Sequence, residues 1–178
     1  VFHWTNVILG FGDPDIATDF DEFLTVAMAI GEYAKQLAED RRDSPGDDLT
    51  TSLVRAELDG ERLTSAEVAS FFILLVVAGN ETTRQAMTLS MKALMDNPDQ
   101  MQYFLDNMDK AQIMVEELIR YASPVYHFRR TATKDVELHG KTIKTGDKVV
   151  TWFASGNRDE SKFTNPYDLD LTRFPNDH

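Results

Sequence analysis

The stretch FFILLVVAGNETTRQA (Phe71–Ala86) sets an unbroken apolar run against a glycine, a carboxylate and two adjacent threonines. Upstream, Thr64-Ser65-Ala66-Glu67 has capping-box spacing, and downstream the proline of Asp96-Asn97-Pro98 blocks continuation, so the spacing predicts one long helix between them. Residues four apart are neighbours on a helix, which stacks Thr82 on Ala78 and Ala78 on Leu74, with Leu75 alongside. That face reads apolar, apolar, small, hydroxyl. Gly79 lets other groups approach the backbone closely. Thr82 can bond back to the carbonyl of Ala78 and loosen the helical ladder there. Glu81 can carry protons wherever water reaches it. On these residues alone two readings stay open: a small-molecule site built into a helix, or a buried helix emerging with Glu81, Arg84 and Gln85 as its wetted face.

Composition narrows the classes of function. The chain has 178 residues, 42% of them hydrophobic, enough for a packed core rather than a disordered segment. Its 30 acidic and 18 basic residues give a formal charge of −12, which repels phosphate backbones and argues against nucleic-acid binding. The pair Arg129–Arg130 is too small to reverse that. Cysteine is absent, which excludes disulfides and Cys-based zinc sites in this chain and fits a reducing, cytoplasmic setting. The apolar run Phe71–Ala78 is too short to span a bilayer, so no membrane span is expected. Val1 begins in mid-pattern and His178 ends with no closing element, so residues 1–178 are expected to be an internal part of one domain.

The first two-thirds read as helical. Phe20–Arg42 carries Phe23, Val26, Ala27, Ile30, Ala34 and Leu37 at helical spacing, and Ser44–Asp48 breaks it. A short helix is predicted over Leu49–Glu57, then a turn over Leu58–Leu63. Helices over Pro98–Asn107 and Lys110–Ala122 follow, the second closed by Ser123-Pro124. From Asp135 to Ala154 the pattern alternates like strands, with His139-Gly140 and Thr145-Gly146 as turn signals. The expected fold is mainly α with a small β region.

Glu117 and Arg120 lie three apart in VEELIRYASPV (Val115–Val125), where their side chains can pair. Isolated, such a pair is worth a few tenths of a kcal/mol on most helix surfaces. Taken in order, however, AGNETT, EELIR, SPV with RRTATKDVELHG, and GNRDESKFTNP with DLTR resemble the bacterial cytochrome P-450 haem-thiolate monooxygenases. The resemblance covers about Thr64 to His178. Before Thr64 the chain looks like the helices that roof the substrate pocket in that family.

The resemblance implies a partial cytochrome P-450 fold with the long helix over the haem, haem b as cofactor and O2 as co-substrate. Ala78 and Gly79 would form the oxygen-binding notch, Glu81 the acid linking bulk protons to the site, and Thr82 the hydroxyl bonded to dioxygen or its water. Glu117 and Arg120 would be the structural ExxR pair, with Arg173 as third partner. Arg130, in the pattern Arg-x-x-Thr-x-Asp ending at Asp135, would bind a haem propionate, a role for which Arg129 competes. Leu74, Val77, Val125 and Tyr126 would border an apolar substrate, such as a sterol, branched lipid, terpene or alkane. A ferredoxin with its reductase would supply electrons.

Two departures stand out. Leu169 replaces a residue that is often Phe in the family. No cysteine is present to ligate haem iron; the family's ligand loop would lie beyond His178, and His3, His127, His139 and His178 offer no replacement. These residues alone are therefore not expected to work as an oxygenase. Two rival readings are a haem-thiolate isomerase or dehydratase, against which Glu81-Thr82 argues, and a helical binding module without cofactor.

Overall fold

The capping box begins the helix as its spacing predicts. Glu67 Oε2 accepts from Thr64 N and Oγ1, both at 2.8 Å, and Thr64 Oγ1 accepts from Glu67 N at 3.3 Å. In the computed structural model, which describes residues 2–15 and 19–178, helix α4 then runs from Ser65 to Asp96 over 32 residues. The loosening expected around Gly79 and Thr82 does not interrupt it.

Two compact units divide the chain, Val1–Glu81 and Thr82–His178. In the first, α1 (Phe2–Leu9), α2 (Phe20–Asp43) and α3 (Leu49–Arg55) precede the first half of α4. Asp19 caps α2 by accepting from Asp21 N, and Asp48 caps α3 by accepting from Thr51 N. Along α2 the buried residues are Val26, Ile30, Ala34 and Ala38, a stripe of spacing four that faces its neighbours. Ala38 and Val54 pack with Val68 of α4. The predicted turn at Leu58–Leu63 is a small hairpin, β1 (Glu57–Leu58) with β2 (Glu61–Arg62). Asp59 and Gly60 make it, with φ of +52° and +83°, a left-handed pair that Asp-Gly tolerates well.

In the second unit the rest of α4 is followed by α5 (Pro98–Asp106), a 3-10 turn (Met108–Lys110) and α6 (Ala111–Ala122). Ser123 ends α6 in the left-handed conformation, φ +45°. Ala93, Leu94, Met114, Leu118, Leu169 and Leu171 form the core. Leu169 is buried there.

Two antiparallel ribbons complete this unit: β3 (His127–Thr131) with β6 (Lys148–Trp152), and β4 (Val136–Leu138) with β5 (Lys141–Ile143). A one-turn helix, α7 (Phe153–Gly156), follows β6. Strand β3 begins earlier than the alternation from Asp135 suggests. HFRRT is exposed along its whole length, so no apolar face marks it in the sequence. The His139-Gly140 turn is as expected, both residues having positive φ. The architecture is mainly α with a small β region.

Among the described residues α4 is long and apolar enough, by length and composition, to cross a membrane, although no uninterrupted apolar run in it is. Both its ends nevertheless pack against protein. Val68 and Ala69 near the start and Ala93 and Leu94 near the end are buried, and Val68, Ala93 and Leu94 belong to packed apolar clusters.

The capping box makes stability pH-dependent. The Thr64 N–H, and then its hydroxyl, hold the Glu67 carboxyl below the usual carboxylate range. A group with a lowered folded value stabilises fully above its unfolded value, near pH 4.3, and loses that contribution as pH falls through the folded value. Glu67→Ala is therefore expected to lower the melting temperature at pH 7, and the gap from wild type to narrow at pH 3. An equal gap at both pH values in thermal melts would contradict this.

Candidate functional site

Helix α6 places Glu117 and Arg120 on its inner face, and both side chains are 0% exposed. Their pairing is two-pronged: Arg120 Nε donates to Glu117 Oε2 at 2.7 Å and Nη2 to Oε1 at 2.8 Å. The remaining Arg120 donors go to backbone carbonyls of the segment after α7. Nη1 reaches Asn157 O at 2.7 Å and Pro166 O at 2.8 Å, and Nη2 reaches Asp168 O at 3.2 Å. Every N–H of the guanidinium fork is thus used, a pattern no lysine could reproduce.

The carboxylate gathers further donors. Arg173 Nε donates to Glu117 Oε2 at 3.0 Å, as does Asn176 Nδ2 at 3.0 Å, and Asp170 N donates to Oε1 at 3.0 Å. Arg173 also donates to Thr164 O at 2.8 Å. The structure therefore brings Glu117, Arg120 and Arg173 together, and does so in the interior rather than on a helix surface. Two arginines around one carboxylate leave an excess positive charge, which the ring of carbonyl dipoles offsets.

Sequence reasoning missed several members of this cluster. Arg158 crosses the C-terminus of α6, its Nη2 donating to Tyr121 O at 2.7 Å and its Nη1 to Arg120 O at 3.3 Å, with the guanidinium 4.8 Å from the Tyr121 ring centre. A cation there satisfies helix-end carbonyls and meets the negative end of the dipole. Burial first, and then the Arg120 charge, pushes the Arg158 pKa down from its ordinary value. Asn157 donates to Ser123 Oγ at 3.0 Å, and Gln100 accepts from Leu171 N at 2.9 Å. The available signal was positional: these polar residues sit in or beside segments rich in turn residues.

On α4, Leu74 is 60% exposed and Val77 half-buried; Ala78 and Gly79 are exposed, and Glu81 and Thr82 half-buried. A Cβ built at Gly79 would meet nothing within 4 Å, so open space adjoins the backbone there. In the second unit an apolar groove of 660 Å³ adjoins Thr82, with Met87, Met91, Phe104, Leu118 and Ile119 among its walls. This groove was not anticipated, because its methionines and leucines read as ordinary core.

The β3–β6 ribbon separates the two candidate arginines. His127 faces Trp152 across the ladder and Arg129 faces Val150, while Phe128 faces Thr151 and Arg130 faces Val149. Side chains alternate along a strand, so Arg129 and Arg130 lie on opposite faces. Arg130 shares its face with Phe128, its guanidinium 5.5 Å from that ring centre. The Tyr126 carbonyl accepts from Phe153 N at 2.8 Å, which fixes the chain entering β3; Tyr126 itself is exposed and Val125 half-buried.

Exposed Leu74 and Leu75 offer an apolar wall, Gly79 adjoins open space, and Arg130 presents an exposed cation beside an aromatic ring. Among the described residues no three His, Cys, Asp or Glu side chains cluster to hold a metal ion.

The fold agrees with comparison against known proteins. The chain belongs to the cytochrome P450 family, whose model matches residues 8–178. It is 60% identical over 179 residues to a methyl-branched lipid omega-hydroxylase of Mycobacterium tuberculosis, an alignment covering 100% of this chain and 42% of that protein. A steroid C26-monooxygenase of Rhodococcus jostii is 42% identical over 178 residues, covering 100% of this chain and 37% of that one. The solved structure of Mycobacterium marinum cytochrome P450 CYP268A2 in complex with pseudoionone superposes with a TM-score of 0.82 at 46% identity, covering 99% of this chain and 42% of that one. The chain thus spans about two-fifths of the length of such relatives.

Removing one partner of a buried ion pair strands the other, at a cost of about 3–5 kcal/mol. Glu117→Gln is expected to lose stability on that scale; Arg120→Lys keeps the charge but leaves several buried acceptors unmet, at about 1–3 kcal/mol each, and Arg173→Lys loses less, since Arg173 is partly exposed. Urea unfolding checks the order; a wild-type midpoint for Arg120→Lys would contradict it.

Proposed function

We propose that residues 1–178 are part of a single cytochrome P450 domain, and that the protein containing it is a haem-dependent monooxygenase. Its substrate is an apolar small molecule, a sterol, branched lipid, terpene or alkane, hydroxylated with O2 and electrons from a ferredoxin and its reductase in the cytoplasm. The observation that carries this reading is the acid–alcohol pair Glu81-Thr82 on α4, two residues from a glycine with open space beside it. An isomerase or dehydratase has no use for such a proton-delivering pair. Family membership disfavours a helical module without cofactor. The lipid and steroid relatives favour the first two substrate classes.

Haem held by a cysteine thiolate, which residues 1–178 do not contain, supplies the redox and oxygen chemistry when bound. The roles of this chain are binding, orientation and proton handling. Arg130 holds a haem propionate through charge-assisted bonds. Ala78 and Gly79 leave room for the oxygen substrate beside the helix. Glu81 takes protons from water, and the Thr82 hydroxyl relays them by donating one hydrogen bond while accepting another. Leu74, Val77, Val125 and Tyr126 border the substrate and keep water away. Glu117, Arg120 and Arg173 fix the frame of α6 and the segment after it.

The full-length protein tests this reading. Its ferrous–CO difference spectrum is expected to show the red-shifted Soret band of a thiolate-ligated haem, and the lack of that band would sink the assignment. Thr82→Ala is expected to divert reducing equivalents from product to peroxide; unchanged coupling removes Thr82 from the relay. Because the two arginines face opposite ways, Arg130→Leu is expected to weaken haem retention and Arg129→Leu to leave it near wild type. Equal retention in both, measured by haem transfer to a scavenger protein, would overturn the Arg130 role.

A further inference from the structure

Asn80 sits inside AGNETT, yet none of the roles above uses it. In the structure its Nδ2 donates to Thr5 Oγ1 at 2.7 Å, linking α4 to α1. Thr5 is 0% exposed, and its hydroxyl donates its own proton to Phe2 O at 3.0 Å. With that proton committed, the hydroxyl can only accept from Asn80, which settles the orientation of the amide. Helix α1 is in turn held against α2, where Val7 packs on Val26 with Trp4 and Ile8 around them.

A second tie between α1 and α4 is apolar. The Trp4 ring lies 5.6 Å from that of Tyr33 on α2, and Tyr33 lies 5.8 Å from Phe72 on α4. Ring contacts of this kind tolerate sliding and rotation, whereas a hydrogen bond is directional and weakens steeply when misaligned. Asn80 is two turns further along than Phe72, about 12 Å by helical rise. The polar tie therefore acts at the Ala78–Thr82 turn itself, and the aromatic one does not.

Helical geometry turns that tie into a direction. Successive residues step by about 100°, so an Asn80 facing α1 puts Ala78 and Thr82 each roughly 160° away around the axis. The small-residue and hydroxyl face must then look away from α1. We propose that Asn80 is a positioning residue, whose bond to the buried Thr5 hydroxyl sets the rotation of α4 and so fixes where the Ala78–Thr82 face is presented. The proposal rests on the monooxygenase reading, in which that face handles oxygen and protons. It makes oxygen handling sensitive to the placement of α1.

The test uses full-length, haem-loaded enzyme carrying Thr5→Val, Asn80→Ala, both together, or Thr5→Ser. Two readouts are taken: amide hydrogen exchange over residues 77–83, and the share of reducing equivalents lost as peroxide. Thr5→Val and Asn80→Ala are each expected to speed exchange over 77–83 roughly two- to tenfold, the equilibrium factor of one hydrogen bond. Each should also raise the peroxide share several-fold, the double variant should match the singles, and Thr5→Ser should restore wild-type values. Unchanged exchange in both singles, or additive effects in the double, overturns the proposal. Faster exchange with an unchanged peroxide share overturns it too, because a bond that merely stabilises would give that result. A wild-type enzyme without the thiolate-type CO band would instead show that the monooxygenase reading has failed, and the proposed role of Asn80 in oxygen handling would fall with it.

Discussion

A single buried carboxylate organises the second half of this chain. Glu117 lies in the interior, where an ionised group is tolerated only when its lone pairs are met by donors. Arg120, Arg173, Asn176 and the amide of Asp170 meet them. Arg120 in turn spends its other donors on carbonyls at Asn157, Pro166 and Asp168. A stretch with little regular structure thereby acquires a fixed path, because each of those peptide groups is held by a charge that cannot move. The interaction contributes definition more than stability, since a well-packed apolar replacement could be as favourable in energy.

Helix α4 plays the complementary part. It is continuous from Ser65 to Asp96, so its first half packs in one unit and its second half in the other. Buried residues near both ends fix it, while the middle carries exposed leucines and a glycine beside open space. The same middle stretch is tied to α1 and α2 through Asn80 and Phe72, so apolar, polar and aromatic groups alternate in role within a few turns.

What could be read from the sequence was what local chemistry decides. The capping box at Thr64–Glu67, the stripe on α2, the stop at Ser123-Pro124 and the His139-Gly140 turn all follow from residues within a few positions of one another. Strand β3 was not legible, because HFRRT has no apolar face and its partner Lys148–Trp152 lies far along the chain. The pairing of Glu117 with Arg120 was visible as a spacing, but its burial was not. Arg158, Asn157 and Gln100 were missed for one reason: they bond backbone groups or partners whose positions the fold alone sets. That Arg129 and Arg130 lie on opposite faces of β3 likewise rests on strand register, which the sequence leaves open.

The reach of the Glu117 network also bears on the order of assembly. Its carboxylate closes contacts with residues up to 59 positions later in the chain. During synthesis α6 emerges long before Asp170, Arg173 and Asn176, and until they arrive the carboxylate must stay wet or be only partly matched by Arg120. Burying α6 early would trap an under-satisfied charge, so closure of this half waits for the arrival of the segment that holds Arg173. The contacts that define the native path are therefore non-local in sequence and complete only once the segment bearing Arg173 and Asn176 has been made.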